Sequence, residues 1–598
     1  MEVRAMRKQL PVLLVVVLVL AVALSAGARM NVEEMTTRRA IEQAFQERGG
    51  NISELILAKA QALYESGELD ADLRGGLIDK SGTPMALEIY RALPELPADV
   101  SDRVTRMRAR PSCDASITTE HFRIHYDTSG THKILNWPNT SYRDAVATAA
   151  EYVYDQEVTA MGFVPPADDS GDPDGGGGCE RYDIYVQNLS GVYGYCQPTY
   201  YTGSGNAATS YVVIDNDYAG FGYPDPTDPM KVTVAHEFNH SCQMAVDITE
   251  ELWYMECTAV WAEEQVYDSI DDYTQYIPYY FNSTYRSLDW EDGTGLRIYG
   301  TCVWNIFLSE NVDPGVVSDY WNACGGNSSV YQYLDMVLAN YGTTIEEQFH
   351  EFAMWNWFTG SRCDGAHYSE GASWPLVSIT RTFGMFPIVD GEPYSTYRPD
   401  HMGMNFIRFT NPGTGWTGLH LAYDGPATLS TPNGASVLQK TSGGTTSEYG
   451  DISLNPWGNG DITVEGWDGL SEVVMVVSNQ TDNANDMTYT FDAEQVETSV
   501  EEGGEYAFAL RPASPNPFAA STSIAYTVPT GGGRVEVTIH DVSGRAVRTL
   551  VNGHRPAGPG EVRWDGLDST GRPVATGVYF ARLNIDGTTA SGKLMVLK

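Results

Sequence analysis

The chain has 598 residues, more than one hydrophobic core serves, so it divides into several domains. Hydrophobic residues make up 42% and charged ones 19%, which excludes a largely disordered polymer. Lys and Arg total 37 against 78 Asp and Glu, and the net charge of −41 argues against nucleic acid and anionic membrane surfaces as partners.

Arg4, Arg7 and Lys8 open the chain, Leu10 to Leu24 is apolar, and Ala26-Gly27-Ala28 offers a small-residue cleavage site. Residues 1–28 are therefore expected to be a signal peptide, removed on export to give a secreted or cell-surface protein. The apolar run, roughly 15 residues, falls short of the about 20 that span a bilayer, and no transmembrane anchor is expected further on. Residues 29–112 have a helical pattern in which Ile52, Leu55, Ile56, Lys59 and Leu63 share a face, with Lys59 laying its alkyl stem along it. Gly49-Gly50 and the stretch from Asp70 to Gly76 interrupt that pattern. This segment has no cysteine and reads as a helical propeptide or as a permanent N-terminal subdomain.

Residues 113–395 carry alternating strands at Phe122–Tyr126, Tyr182–Val186 and Tyr211–Asp215, a helical stretch at 143–161, and mostly helices from Val232 to Phe358. The strand Tyr211–Asp215 is expected to be the edge to which an extended peptide adds. The eight cysteines, Cys113, Cys179, Cys196, Cys242, Cys257, Cys302, Cys324 and Cys363, all fall here. In an exported protein they imply disulfides, with Cys179–Cys196 the simplest pair, unless several are buried thiols. Asp168, Asp169, Asp172 and Asp174 form an acidic loop that reads either as a Ca2+ loop or as a solvated one. Ser170 stands where a Ca2+ loop wants a carboxylate or amide. Residues 396–494 alternate as a β-sandwich does, 495–507 form an acidic linker, and 508–598 form a second β module with a turn at Asp541–Gly544.

The chemistry lies in His236-Glu237-Phe238-Asn239-His240, an H-E-x-x-H sequence. On a helix, two imidazoles four residues apart face the same way and can bind one ion, while Glu237 reaches a water on it. A third ligand is needed, and Ser241-Cys242-Gln243-Met244 lacks the histidine that a metzincin would place downstream. In the next helical segment Trp253, Glu256, Val260 and Glu263 share an otherwise apolar face. A glutamate in such surroundings needs a cation or a donor. Either Glu256 or Glu263 can serve as the third ligand, the other then accepting from a ligand histidine.

This pair of segments resembles the gluzincin metallopeptidases, in whose aminopeptidase members the ligand glutamate lies in a W-x-x-E-x-x-A segment, as in Trp253-x-x-Glu256-x-x-Ala259. The resemblance implies an α+β zincin-like domain holding one catalytic Zn2+ on His236, His240 and Glu256. Glu237 would be the general base, and Tyr299, at the start of an apolar helix, the donor to the oxyanion. The implied activity is that of a zinc-dependent endopeptidase acting on a peptide or protein substrate. Gly293-Thr294-Gly295-Leu296-Arg297-Ile298-Tyr299-Gly300 is also partly similar to an aspzincin signature, but Leu296 stands where its ligand aspartate would be.

Pro512-Ala513-Ser514-Pro515-Asn516-Pro517-Phe518, Gly577-Val578-Tyr579-Phe580 and the ending Lys593 to Lys598 resemble type IX secretion sorting domains and the related FlgD Ig-like sandwiches. That implies a secretion machinery as partner. The whole reads as a multidomain chain: a helical propeptide, a zincin-like domain and two β-sandwich modules. The competing reading is a surface adhesin that keeps a metallopeptidase fold without its activity, against which the intact Glu237 speaks.

Overall fold

The computed structural model describes residues 32–597 except 66–68, 70–72, 175, 327, 414, 498–506, 514, 519–520, 556 and 570–571. The expected signal peptide and most of the acidic linker lie outside the described residues. The chain forms two compact units. The first runs to Tyr341 and includes Thr359–Ser361 and Gly365–Val377; the second comprises Gly342–Phe358, Arg362–Asp364 and everything from Ser378 on.

The first unit begins with the helices Thr37–Arg48, Ile52–Tyr64, Thr83–Ala92 and Ala98–Met107. Gly49 ends the first of these in a left-handed conformation at φ 68°, and the Asn51 side chain caps the second by accepting from Glu54 N. Their apolar faces do not form a separate core. Ile41, Leu55, Ile56, Ile89 and Val104 pack into one cluster with Tyr185, Tyr195, Tyr211 and Val213 of the sheet that follows. Lys59 departs from the expected stem-along-the-face arrangement. It is 4% exposed and its Nζ lies 2.7 Å from Glu42 Oε1 and 2.5 Å from Glu88 Oε2, because its helix face is covered on both sides and a buried ammonium must be paired.

The sheet is built from β1 (Ala115–Thr118), β2 (Phe122–Tyr126), β3 (Tyr182–Gln187), β4 (Gly194–Tyr201) and β5 (Ala208–Asp215), in the order β1-β2-β3-β5-β4. The β2-β3-β5 pairs are parallel and the two outer pairs antiparallel. All eight residues of β5 are buried, as are all six of β3, as strands covered on both faces must be. This corrects the expected docking edge. β5 has a neighbour on each side, since β4 returns antiparallel to it, so the edge beside it is β4. Two long helices follow, Thr227–Met244 and Leu252–Val266.

The expected Cys179–Cys196 disulfide is absent, and all eight cysteines are free thiols. Cys196 faces inward from β4, with Sγ 3.6 Å from Met244 Sδ and 3.7 Å from the Tyr182 hydroxyl, whereas Cys179 is half-exposed in a loop. The acidic loop is not simply solvated. The Arg110 guanidinium lies 2.5 Å from Asp169 and 2.9 Å from Asp174 of the loop, and 3.0 Å from Asp183 of β3.

In the second unit, the sandwich starts earlier than residue 396. The strands β6 (Arg381–Phe383) and β7 (Ile388–Gly391) join β8 (Gly403–Thr410), β9 (Gly418–Asp424), β10 (Asn433–Thr441), β11 (Thr446–Asp451), β12 (Asn459–Glu465), β13 (Leu470–Asn479) and β14 (Thr490–Val496). These form two sheets, ordered β11-β10-β13-β8-β6 and β12-β9-β14-β7, so 381–391 belongs to this module through backbone pairing. The last module carries β15 (Ala509–Leu510), β16 (Thr522–Val528), β17 (Gly533–Asp541), β18 (Ala546–Arg555), β19 (Gly558–Trp564), β20 (Gly577–Ile585) and β21 (Thr588–Val596) in sheets ordered β15-β16-β19 and β18-β17-β20-β21. No helix among the described residues is long and apolar enough to cross a membrane.

Cys196 is expected to react with iodoacetamide only after unfolding, and to do so without a reductant. Peptide mapping that recovers Cys196 linked to Cys179 would refute the packing given for it.

Candidate metal centre

The helix Thr227–Met244 crosses behind β4 and β5, and from Val232 to Met244 each of its residues is buried. The crossing is close. A Cβ on Gly194 would lie 2.6 Å from Thr233 Cγ2 and 3.2 Å from Glu237 Cγ, so the strand can pass the helix at that level only with glycine there. The helix Leu252–Val266 packs against the first helix and presents Glu256 and Glu263 to it from one face, two turns apart as their spacing requires.

The structure brings together His236, His240 and Glu256, with one ligand atom from each within 4.8 Å of the others. His236 Nε2 lies 3.1 Å from His240 Nε2 and 3.0 Å from Glu256 Oε2, and His240 Nε2 lies 3.1 Å from Glu256 Oε1. Donors about 2.0–2.2 Å from a tetrahedral ion stand about 3.3–3.6 Å apart, so this set lies a few tenths of an ångström inside that spacing. Glu263, the other possible ligand, lies behind the ring: its Oε1 is 2.7 Å from His236 Nδ1 and fixes that imidazole with Nε2 turned inward. All three donors are 0–1% exposed.

Electrostatics agree with the geometry. Burial works against a charged His236, but Glu256, Glu263 and Glu237 outweigh it and raise its pKa to about 10. Burial works against a charged Glu256 too, and His240 and His236 overcome it, lowering its pKa to about 2. Glu237 is 0% exposed; its Oε1 has no hydrogen-bond partner, and burial raises its pKa. Two imidazoles, a carboxylate held well below its usual pKa and an orphaned carboxylate oxygen beside them fit a divalent zinc ion and the water it would carry.

Tyr299 is fully buried in the short helix Arg297–Gly300, its ring 6.4 Å from that of His236. Its hydroxyl is already engaged, donating to Asp79 Oδ1 at 2.5 Å and accepting from Ser81 N at 3.3 Å. Glu237 is engaged by the same segment, since Thr83 Oγ1 donates to its Oε2 at 2.6 Å. Lys80 Nζ lies 2.8 Å from Glu263 Oε2 and also pairs with Asp272. The backbone of this segment follows the chain leading into β4. Asp79 N donates to Gly191 O and Gly82 N to Gly194 O, each at 2.8 Å, with a parallel bridge between Asp79 and Val192.

Residues 518–591 match the FlgD Ig-like domain family. No curated protein matches the chain. Solved structures with local likeness include PorZ, a surface component of the type IX secretion system of Porphyromonas gingivalis, at 22% identity over 20% of this chain and 15% of that one, with a TM-score of 0.12. Dimeric latent PorU of the same organism is 17% identical over 37% of this chain and 19% of its own, with a TM-score of 0.14. A Bifidobacterium dentium β-glucuronidase is 13% identical over 35% and 42%, with a TM-score of 0.12. The chain thus spans under a fifth of the first two, and likeness at these scores assigns nothing to the metal centre.

Sequence reasoning missed the supports of His240. Gln243 Oε1 lies 2.9 Å from His240 Nδ1, while Gln243 Nε2 donates to Asn239 Oδ1 at 2.7 Å and to Met255 O at 3.0 Å. Asn239 in turn donates to the buried Glu157 at 3.0 Å. The i, i+3 offset from His240 to Gln243 was a readable signal. No comparable signal marked Asp79, Lys80 or Thr83.

Replacing Glu256 by Gln is expected to abolish most zinc retention on dialysis, while Glu263→Gln keeps the metal with affinity weakened about 10- to 100-fold. Elemental analysis giving the opposite order would move the third ligand to Glu263.

Proposed function

We propose that the chain is a zinc-dependent peptidase of the gluzincin kind, made as a latent precursor and cutting peptide bonds within exported or surface-exposed proteins. One observation carries the reading: two histidine nitrogens and the Glu256 carboxylate converge within 3.1 Å, beside a glutamate with an orphaned oxygen. Zinc bound there would act as a Lewis acid, activating water and polarising a carbonyl.

The chain's own groups do the rest. Burial raises the pKa of Glu237, which favours taking a proton from the attacking water and returning it to the departing nitrogen. Glu263 and Gln243 hold the two imidazoles by their Nδ1 atoms, so that both Nε2 atoms stay turned inward. The Tyr299 hydroxyl is the donor for the negative oxygen that develops on the substrate carbonyl.

Both of these acting groups are bonded to residues 79–83, and the metal donors are closed to solvent. This supports reading residues 29–112 as a propeptide rather than a permanent subdomain. In the precursor, Asp79 occupies the oxyanion donor and Thr83 occupies the base. The match of 518–591 to the FlgD Ig-like family supports a secreted or surface protein whose last module meets a secretion machinery.

Zinc-loaded precursor is expected to degrade an unfolded protein slowly, and the product of removing residues up to about 112 quickly. Glu237→Gln in the processed form should keep zinc and lose about 100- to 10,000-fold in turnover. Undiminished turnover in that variant rules out the mechanism; an inert processed wild type with full zinc favours an adhesin.

Ending the chain before residue 508 is expected to leave the zinc site intact and stop delivery outside the cell. Normal delivery of that truncation would make the last module a plain binding sandwich.

A further inference from the structure

The helix Leu252–Val266 carries a third glutamate, which the metal centre does not use. Glu264 meets Asp271 and Glu370, with one carboxylate oxygen from each within 4.8 Å of the others. Asp271 precedes the turn Asp272–Gln275 and Glu370 precedes the turn Gly371–Ser373, so the three come from separate parts of the chain. Glu264 is only 7% exposed, and its Oε2 is buried without a hydrogen-bond partner. Asp271 is exposed and Glu370 half-buried, which leaves the cluster open to solvent on one side.

Three carboxylates this close repel one another unless something positive lies among them. At the acidic loop that group is Arg110. Here the charged neighbours that act most strongly on Glu264 are acidic: after burial itself, Glu370, Asp268, Asp271 and Glu263 push its pKa up, to about 8. An anionic cluster of hard oxygens, with a buried orphan on one side and water on the other, has the donor chemistry of a calcium site.

We propose that Glu264, Asp271 and Glu370 bind a Ca2+ ion. The ion ties the end of the glutamate-bearing helix to two loops and completes its coordination with water. Millimolar calcium outside a cell suffices for a site of this kind, since extracellular modules bind with constants of about 0.1–1 mM. The site stands apart from the proposed zinc ligands and does not depend on them.

Terbium is the probe, because aromatic antennae are at hand: the Tyr273 hydroxyl donates to Glu370 Oε2 at 2.5 Å, and Trp374 Nε1 to the Tyr273 hydroxyl at 2.9 Å. The full-length, zinc-loaded protein is expected to sensitise Tb3+ emission, which Ca2+ displaces. Its melting temperature should rise by about 2 °C or more between chelated and millimolar calcium, with a chelator that spares zinc. Glu264→Gln and, at the exposed position, Asp271→Asn should each weaken Tb3+ binding at least about tenfold with zinc content unchanged. Unaltered emission in both variants overturns the proposal. So does a Glu264→Gln protein that melts higher than wild type while calcium has no effect on either, which would mean that Glu264 and a neighbour share a proton instead.

Discussion

A carboxylate shut away from water must be met by positive charge, and in the first unit that requirement falls on Glu256. Left alone, such a buried ion costs several kcal/mol. Two imidazoles face it at 3.0–3.1 Å, and each is oriented from behind by a side chain whose own position is fixed. Glu263 stands behind His236 and is held by Lys80; Gln243 stands behind His240 and is held by Asn239 and Met255. Imidazolium can answer the charge of Glu256, and so can a divalent cation between neutral imidazoles, which leaves both histidines in the state that metals prefer. The buried helix crossing, the glycine at 194 and the apolar second helix all serve to keep these groups within that short range.

The local parts of this arrangement were legible in the sequence. The H-E-x-x-H spacing put His236 and His240 on one face, and the isolated Glu256 and Glu263 on an apolar helix announced that something would compensate them. Strand alternation placed β2, β3, β5 and the sandwich strands near where they lie. What failed was long-range. Which strand forms the edge depends on how β4 folds back, and alternation within a strand says nothing about its neighbours. The cysteines suggested bridges by their count, whereas Cys196 packs against Met244, a contact visible only in three dimensions. Arg110 lies far along the chain from the carboxylates it joins. The short run 79–83, which leads into the helix Thr83–Ala92, carries no periodicity, so its hold on Glu237 and Tyr299 left no mark in the sequence.

The N-terminal helices share a core with the sheet rather than resting on its surface. Tyr185, Tyr195, Tyr211 and Val213 are buried by Ile41, Leu55, Ile89 and their neighbours. Arg38, 2% exposed, reaches Glu291 at 3.2 Å across the same junction. On the latency reading, one broken peptide bond near residue 112 therefore changes little. The severed piece would stay seated as a tightly bound inhibitor, held by the same apolar area and the same ion pair. Release would then be a dissociation step, sensitive to dilution and to whatever destroys the free fragment. The speed of activation would follow how quickly that fragment is consumed rather than how quickly the bond is cut.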